Sequence, residues 1–129
     1  MIPEDLRFHK EHEWVRVKGR QATLGISDFA QDALGDIVFI ELPKLGATVK
    51  TGQQIGEIES TKTTSTLYTP VSGTIAQVNG DLKDHPEVVN SDPYGRGWMV
   101  VIDLSDAGEV DTLMTAAQYE AFLANQKKG

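Results

Sequence analysis

The stretch Glu57-Ile58-Glu59-Ser60-Thr61-Lys62-Thr63-Thr64-Ser65-Thr66-Leu67-Tyr68-Thr69-Pro70-Val71-Ser72-Gly73 constrains the fold more than any other part of the chain. Short β-prone segments with apolar residues flank a run of small hydroxyl side chains, and one long amine projects from the centre of that run. This predicts a hairpin with Lys62 at its tip. Gly46-Ala47-Thr48-Val49-Lys50-Thr51-Gly52 on one side, and Pro70-Val71-Ser72-Gly73-Thr74-Ile75-Ala76-Gln77-Val78 on the other, place glycine-punctuated strands around the same lysine. The expectation is a folded sheet with internal near-symmetry. An unmodified lysine is cationic at neutral pH and a poor nucleophile. On an exposed tip it is better suited to be an attachment point that a second enzyme can reach.

With 129 residues the chain has length for one core and not for two good ones. Its 40% hydrophobic and 24% charged residues are ordinary for a globular domain. No apolar run approaches membrane-spanning length, and Met1-Ile2-Pro3-Glu4-Asp5 lacks a basic segment followed by an apolar one. The absence of cysteine excludes disulfides, thiol catalysis and thiolate metal sites. A net charge of −7 with scattered basic residues opposes nucleic-acid binding and suits steered encounters with partners that carry basic patches.

Periodicity and breakers place the elements. Arg16-Val17 and Ala22–Ile26 read as strands joined at Lys18-Gly19-Arg20. Ser27 is placed to cap a short helix that carries Phe29, Ala30, Ala33 and Leu34 on one side and ends at Gly35. Ile37–Leu42 is an almost continuously apolar strand stopped by Pro43. Pro86-Glu87-Val88-Val89 predicts a brief helical turn, Trp98–Leu104 a final strand, and Thr115-Ala116-Ala117-Gln118 a capping box for a helix carrying Tyr119, Phe122 and Leu123. That apolar stripe reads as packing, not as a docking face.

Intrinsic catalytic constellations are missing. His9-Lys10-Glu11-His12-Glu13-Trp14 lacks the spacing that sets two imidazoles on one helical face around zinc, and reads as a strand entry with a satisfied His12. Gly95-Arg96-Gly97 precedes Trp98 and a strand, so it reads as a tight turn and not as a phosphate loop. A chain without chemistry of its own fits a carrier, in which a cofactor reacts and the protein positions it.

The tip and its flanks resemble the biotinyl and lipoyl carrier domains. Across most of the chain the likeness narrows. His12-Glu13-Trp14, Gly25-Ile26-Ser27, Ala30-Gln31, Leu34-Gly35-Asp36, Leu42-Pro43, Gly46 and Glu59-Ser60-Thr61-Lys62 occur in the order found in the H proteins of the glycine cleavage system. Pro70-Val71-Ser72-Gly73, Val78-Asn79, Asn90-Ser91-Asp92-Pro93-Tyr94-Gly95 and Gly97-Trp98 continue that order, so the resemblance spans about residues 6–122. A biotin carrier is disfavoured, because that family places methionines beside its lysine where this chain has Thr61 and Thr63.

The resemblance implies a mainly β fold, a hybrid barrel-sandwich of two sheets with short helices and a C-terminal helix. Residues 1–129 would form a single lipoyl-carrier domain with N- and C-terminal extensions. Lipoate would be attached to Lys62 by lipoate-attaching enzymes, and the arm would serve glycine decarboxylase, aminomethyltransferase and dihydrolipoamide dehydrogenase in turn. The protein would be a noncatalytic carrier, a monomer when free, cytoplasmic in a bacterial host or mitochondrial if a transit peptide has been removed. The alternatives are an H-like protein relaying lipoyl or octanoyl groups to other complexes, and an unmodified interaction domain. Glu13 matches an acid of the family's cleft that could pair with the amine of the loaded arm; the competing reading is a solvated charge beside Trp14. Glu59 belongs to the matched tip and could be read by an attaching enzyme, whereas Glu57 needs no explanation beyond an open strand face. The chain departs from common family choices at Thr66, often an acid, and at Ala33, a histidine in some members.

Overall fold

The computed structural model describes residues 2–128. Among these residues ten strands form two sheets, and neither sheet closes on itself. β1 (Arg7–Phe8), β2 (Glu13–Lys18) and β3 (Gln21–Ile26) form an antiparallel meander, with the second turn at Gly19 and Arg20. Gly19 there has φ +63°, a left-handed conformation that glycine adopts without steric cost. β5 (Thr48–Val49), β8 (Gly73–Val78), β9 (Val100–Leu104) and β10 (Met114–Thr115) complete a seven-stranded sheet in the order β10-β1-β2-β3-β9-β8-β5. β4 (Ile37–Glu41), β6 (Gln54–Ser60) and β7 (Thr64–Tyr68) make the second sheet, in the order β4-β6-β7.

The two sheets bury their facing residues against each other. Leu24, Ile40, Ile58, Leu67, Ile75 and Ile102 lie in this shared core. Each such side chain removed from water contributes about 1.5–3 kcal/mol before entropy is counted. A smaller cluster of Leu6, Phe8, Trp14 and Tyr119 fastens the C-terminal helix α4 (Ala116–Lys128) to the meander. The capping box forms as read from the sequence: Thr115 Oγ1 accepts the Gln118 N–H at 3.2 Å, and Gln118 Oε1 accepts the Thr115 N–H at 2.9 Å. Phe8 and Tyr119 stack with centroids 4.2 Å apart, so the Tyr119 stripe is indeed packing.

Two expectations need correction, and one strand shows a feature that its sequence left open. Trp98–Leu104 is not the final strand, because β10 follows and pairs with β1; two residues carry too little pattern to be read in advance. β4, whose sequence is almost continuously apolar, is not buried on both faces. A bulge between Ile37 and Phe39 breaks its alternation, leaving Val38 and Phe39 51% and 50% exposed. In the first helix, α1 (Asp28–Leu34), Ala33 is exposed and does not join Phe29, Ala30 and Leu34.

Candidate functional site: a braced hairpin tip and a buried carboxylate

The chain crosses from one sheet to the other on both sides of the hairpin, and the two crossings are tied together. Gly52 N donates to Thr69 O at 2.7 Å, Thr69 N to Gln53 O at 3.0 Å, and Thr51 Oγ1 to Pro70 O at 3.1 Å. β6 and β7 run antiparallel from there, with Ile58 opposite Ser65 and Glu59 opposite Thr64. Gly56 is required within this pair, because a Cβ would collide with the Glu41 carbonyl of the adjoining strand. At the tip, Ser60 N donates to Thr63 O at 2.8 Å while Ser60 Oγ accepts the Thr63 N–H at 3.1 Å. Lys62 is exposed at this point.

The tip rests on a shelf formed between α1 and β4. Ser27 caps α1 by accepting the Ala30 N–H at 3.2 Å, and Gly35 ends it at φ +81°. The Lys62 Cε lies 3.5 Å from where a Gly35 Cβ would stand, so the lysine stem crosses the bare glycine. Thr61 N donates to Asp36 O at 2.9 Å. Beneath the shelf, Asn90, on the short helix α3 following α2 (Asp81–Asp84; α3 is Val88–Ser91), donates to Gly35 O at 2.8 Å and to Gln31 Oε1 at 2.9 Å. Its Oδ1 accepts the Ile37 N–H at 2.9 Å. Asn90 therefore fixes the backbone on which the tip sits, a role that only the matched segment around it hinted at.

Glu59 is exposed on β6, with Phe39 and Thr64 as its cross-strand neighbours. Glu13 is quite different. It is 2% exposed, which rules out the solvated charge considered above. Its Oε2 accepts the Tyr68 N–H at 3.2 Å, and Oε1 lies 3.2 Å from His9 Nδ1. Because that nitrogen already accepts the Glu11 N–H at 3.1 Å, Oε1 has no donor unless a proton sits between the two side chains. Burial pushes the Glu13 carboxyl above its ordinary value; His9 and the Tyr68 N–H pull the other way and do not cancel it.

The structure brings Lys62 and Glu59 together at the tip and sets Glu13 at the far end of β7. Tyr68 lies six positions along the chain from Lys62, or about 20 Å at roughly 3.3 Å per residue. A cleft of about 370 Å³, lined by His9, Lys10, Glu11, Gly52 and Tyr68, lies beside the buried carboxylate. Glu13 itself is not among the lining residues; His9 and Tyr68 stand over it. His12 is satisfied as expected, with Nδ1 2.8 Å from the Tyr119 hydroxyl, which is in turn 2.7 Å from Ser27 Oγ. Burial lowers His12 from its ordinary value and pushes Tyr119 up to about 12.

Residues 6–126 match the family described as Glycine cleavage H-protein. The chain belongs to that family. It is 56% identical over 119 residues to the glycine cleavage system H protein of Bacillus subtilis, covering 92% of this chain and 94% of that protein. To the one from Brevibacillus brevis it is 54% identical over 122 residues, covering 95% and 97%. The crystal structure of a glycine cleavage system H protein from Mycobacterium marinum superposes with a TM-score of 0.88 at 39% identity, covering 95% of this chain and 99% of that one. Members of this family carry lipoate on a lysine, and the tip suits such a group. An exposed primary amine on a hydrogen-bonded turn can enter the active site of an attaching enzyme without local unfolding. His9 and Asn90 are the contributors that sequence reasoning passed over; neither residue type carries a local signal for the contact it makes.

Proposed function

We propose that Lys62 is the residue that carries lipoate, in one carrier domain formed by residues 1–129. The protein is a noncatalytic lipoyl carrier that shuttles the aminomethyl group of glycine between glycine decarboxylase, aminomethyltransferase and dihydrolipoamide dehydrogenase. When bound, lipoate supplies a redox-active pair of sulfurs; the chain supplies position. Tethering turns successive encounters into a high local concentration at each partner. The observation that carries the assignment of Lys62 is its place at an exposed tip braced by Ser60, Asp36 and the Gly35 shelf. Peptide mapping of protein from its native host tests it: lipoate is expected on Lys62 and on no other lysine, and lipoate elsewhere overturns the reading. Lys62→Ala should abolish glycine-dependent release of carbon dioxide and leave the fold intact.

Glu13 is read as the carboxylate that meets the cargo's amine, and Glu59 as a charge sensed by lipoate-attaching enzymes. A buried oxygen without a donor supports the first, and exposure beside the tip supports the second. Glu13→Gln should speed spontaneous loss of ammonia and formaldehyde from the loaded protein; equal rates would remove Glu13 from the site. Glu59→Gln should slow lipoylation, and an unchanged rate would return Glu59 to the open strand face. No helix among the described residues is long and apolar enough to cross a membrane. The relatives are bacterial, and the cytoplasm is the proposed location.

A further inference from the structure

The turn between β1 and β2 sets an imidazole between a surface cleft and the buried Glu13 carboxyl. His9 N donates to Glu13 O at 2.9 Å and His12 N to His9 O at 2.9 Å, closing a tight turn with His12 at φ +74°. This turn holds the His9 ring against the Glu13 carboxyl, Nδ1 to Oε1, at 3.2 Å. His9 lines the cleft of about 370 Å³, whereas Glu13 lies behind it. The ring nitrogen has one lone pair or one proton, and two groups compete for it. Unprotonated, Nδ1 accepts the Glu11 N–H and leaves Oε1 without a donor; protonated, it can donate to Oε1.

We propose that His9 and Glu13 hold one proton between them as the resident occupant of this site, and that an arriving ammonium group displaces that proton and turns the His9 ring aside. The inference rests on the reading of Glu13 as the acid that meets the cargo's amine. A cation and a proton are alternative ways of satisfying the same buried oxygen, and both cannot be present. Because Nδ1 accepts the Glu11 N–H, the neutral ring carries its own proton on Nε2; the resident proton is one more, and its placement on Nδ1 or on the Glu13 carboxyl gives the same balance. One cation enters, the N–H to Oε1 bond replaces the shared-proton bond, and one proton leaves to solvent through the cleft. Other groups bias the exchange without changing its stoichiometry. Lys10 and Glu11 flank the cleft on the same turn, Tyr68 lines it from β7, and the Tyr119 hydroxyl on α4 feels the Glu13 charge. By linkage, occupancy by the ammonium should strengthen as pH rises, up to about tenfold per pH unit while the resident proton is held.

The experiment uses the full-length lipoylated protein with 15N-labelled histidine, titrated from about pH 4 to pH 8 with the arm unloaded and loaded. In the unloaded protein the His9 ring signals should report a proton shared with Glu13, and Glu13→Gln should abolish that signature. Loading should convert His9 to its neutral form, with Nδ1 unprotonated, at a pH where the unloaded protein still holds the proton. His9 signals that titrate identically in the parent and Glu13→Gln overturn the shared proton. Signals that are identical in loaded and unloaded protein overturn the exchange. His9→Ala, which opens Glu13 to the cleft, should retain the cargo better than the parent below about pH 6 and equally well near pH 8; retention that falls below the parent's at both overturns His9 as the competitor. The ammonia release rate of Glu13→Gln tests the amine contact by itself, so failure of that reading and failure of the proton exchange are distinguishable.

Discussion

Glu13→Gln should make the protein more stable near neutral pH while impairing what it holds. The parent buries a carboxylate that is 2% exposed with one firm donor, the Tyr68 N–H, and an oxygen that lacks one. An unsatisfied buried polar group costs about 1–3 kcal/mol. Glutamine has nearly the same shape, keeps an oxygen for the Tyr68 N–H and carries no charge to be desolvated, although His9 Nδ1, which accepts the Glu11 N–H, has no second lone pair for its amide. A gain of about 1–3 kcal/mol is expected, at about 3–5 °C of melting temperature per kcal/mol for a chain of this size. The pH dependence follows from the direction of the shift. Burial raises the folded-state carboxyl above the ordinary value of 4.5, so above that value the folded chain keeps a proton that the unfolded chain has released. The stability contributed by the protonated form is complete below the unfolded value and is lost as pH rises through the folded one. The advantage of the variant should therefore be largest near pH 7.5 and vanish toward about pH 4, where both side chains are neutral. Urea titration of the parent and variant at both pH values measures it. A variant less stable than the parent near neutrality, or a difference that does not shrink on acidification, would refute the reasoning.

Two further substitutions probe the scaffold. Gly25→Ala would set a Cβ 2.6 Å from the Trp14 indole, whose Nε1 is pinned by the Ile26 and Pro93 carbonyls at 2.9 and 3.0 Å, so the ring cannot give way. A loss of about 1–3 kcal/mol is expected by denaturant titration, and a neutral result would show the indole to be movable. Asn90→Ala removes three hydrogen bonds beneath the lysine shelf and should cost about 1–3 kcal/mol. It should also speed hydrogen exchange at the Thr61 amide, which donates to Asp36 O, more than at strand amides of the other sheet; uniform acceleration would show that Asn90 supports the fold without favouring the tip.

The helix and hairpin signals were legible in the sequence because they are local. Ser27 capping α1, Gly35 ending it, the Thr115–Gln118 box and the Lys62 tip each depend on residues within a few positions, where hydrogen-bond reach and φ preference act directly. The ordered motifs likewise point to the family by sequence alone. The tertiary structure alone decided what those elements meet. The bulge that exposes Val38 and Phe39, the pairing of β10 with β1 and the Asn90 clamp arise from strand register and from contacts between residues 16 to 108 positions apart. Glu13 is the sharpest instance, since its neighbours in sequence suit a surface acid equally well. Only the folded chain brings the Tyr68 N–H and the His9 ring onto one buried carboxyl, because burial is a property of the packed sheets and not of a residue's sequence neighbours.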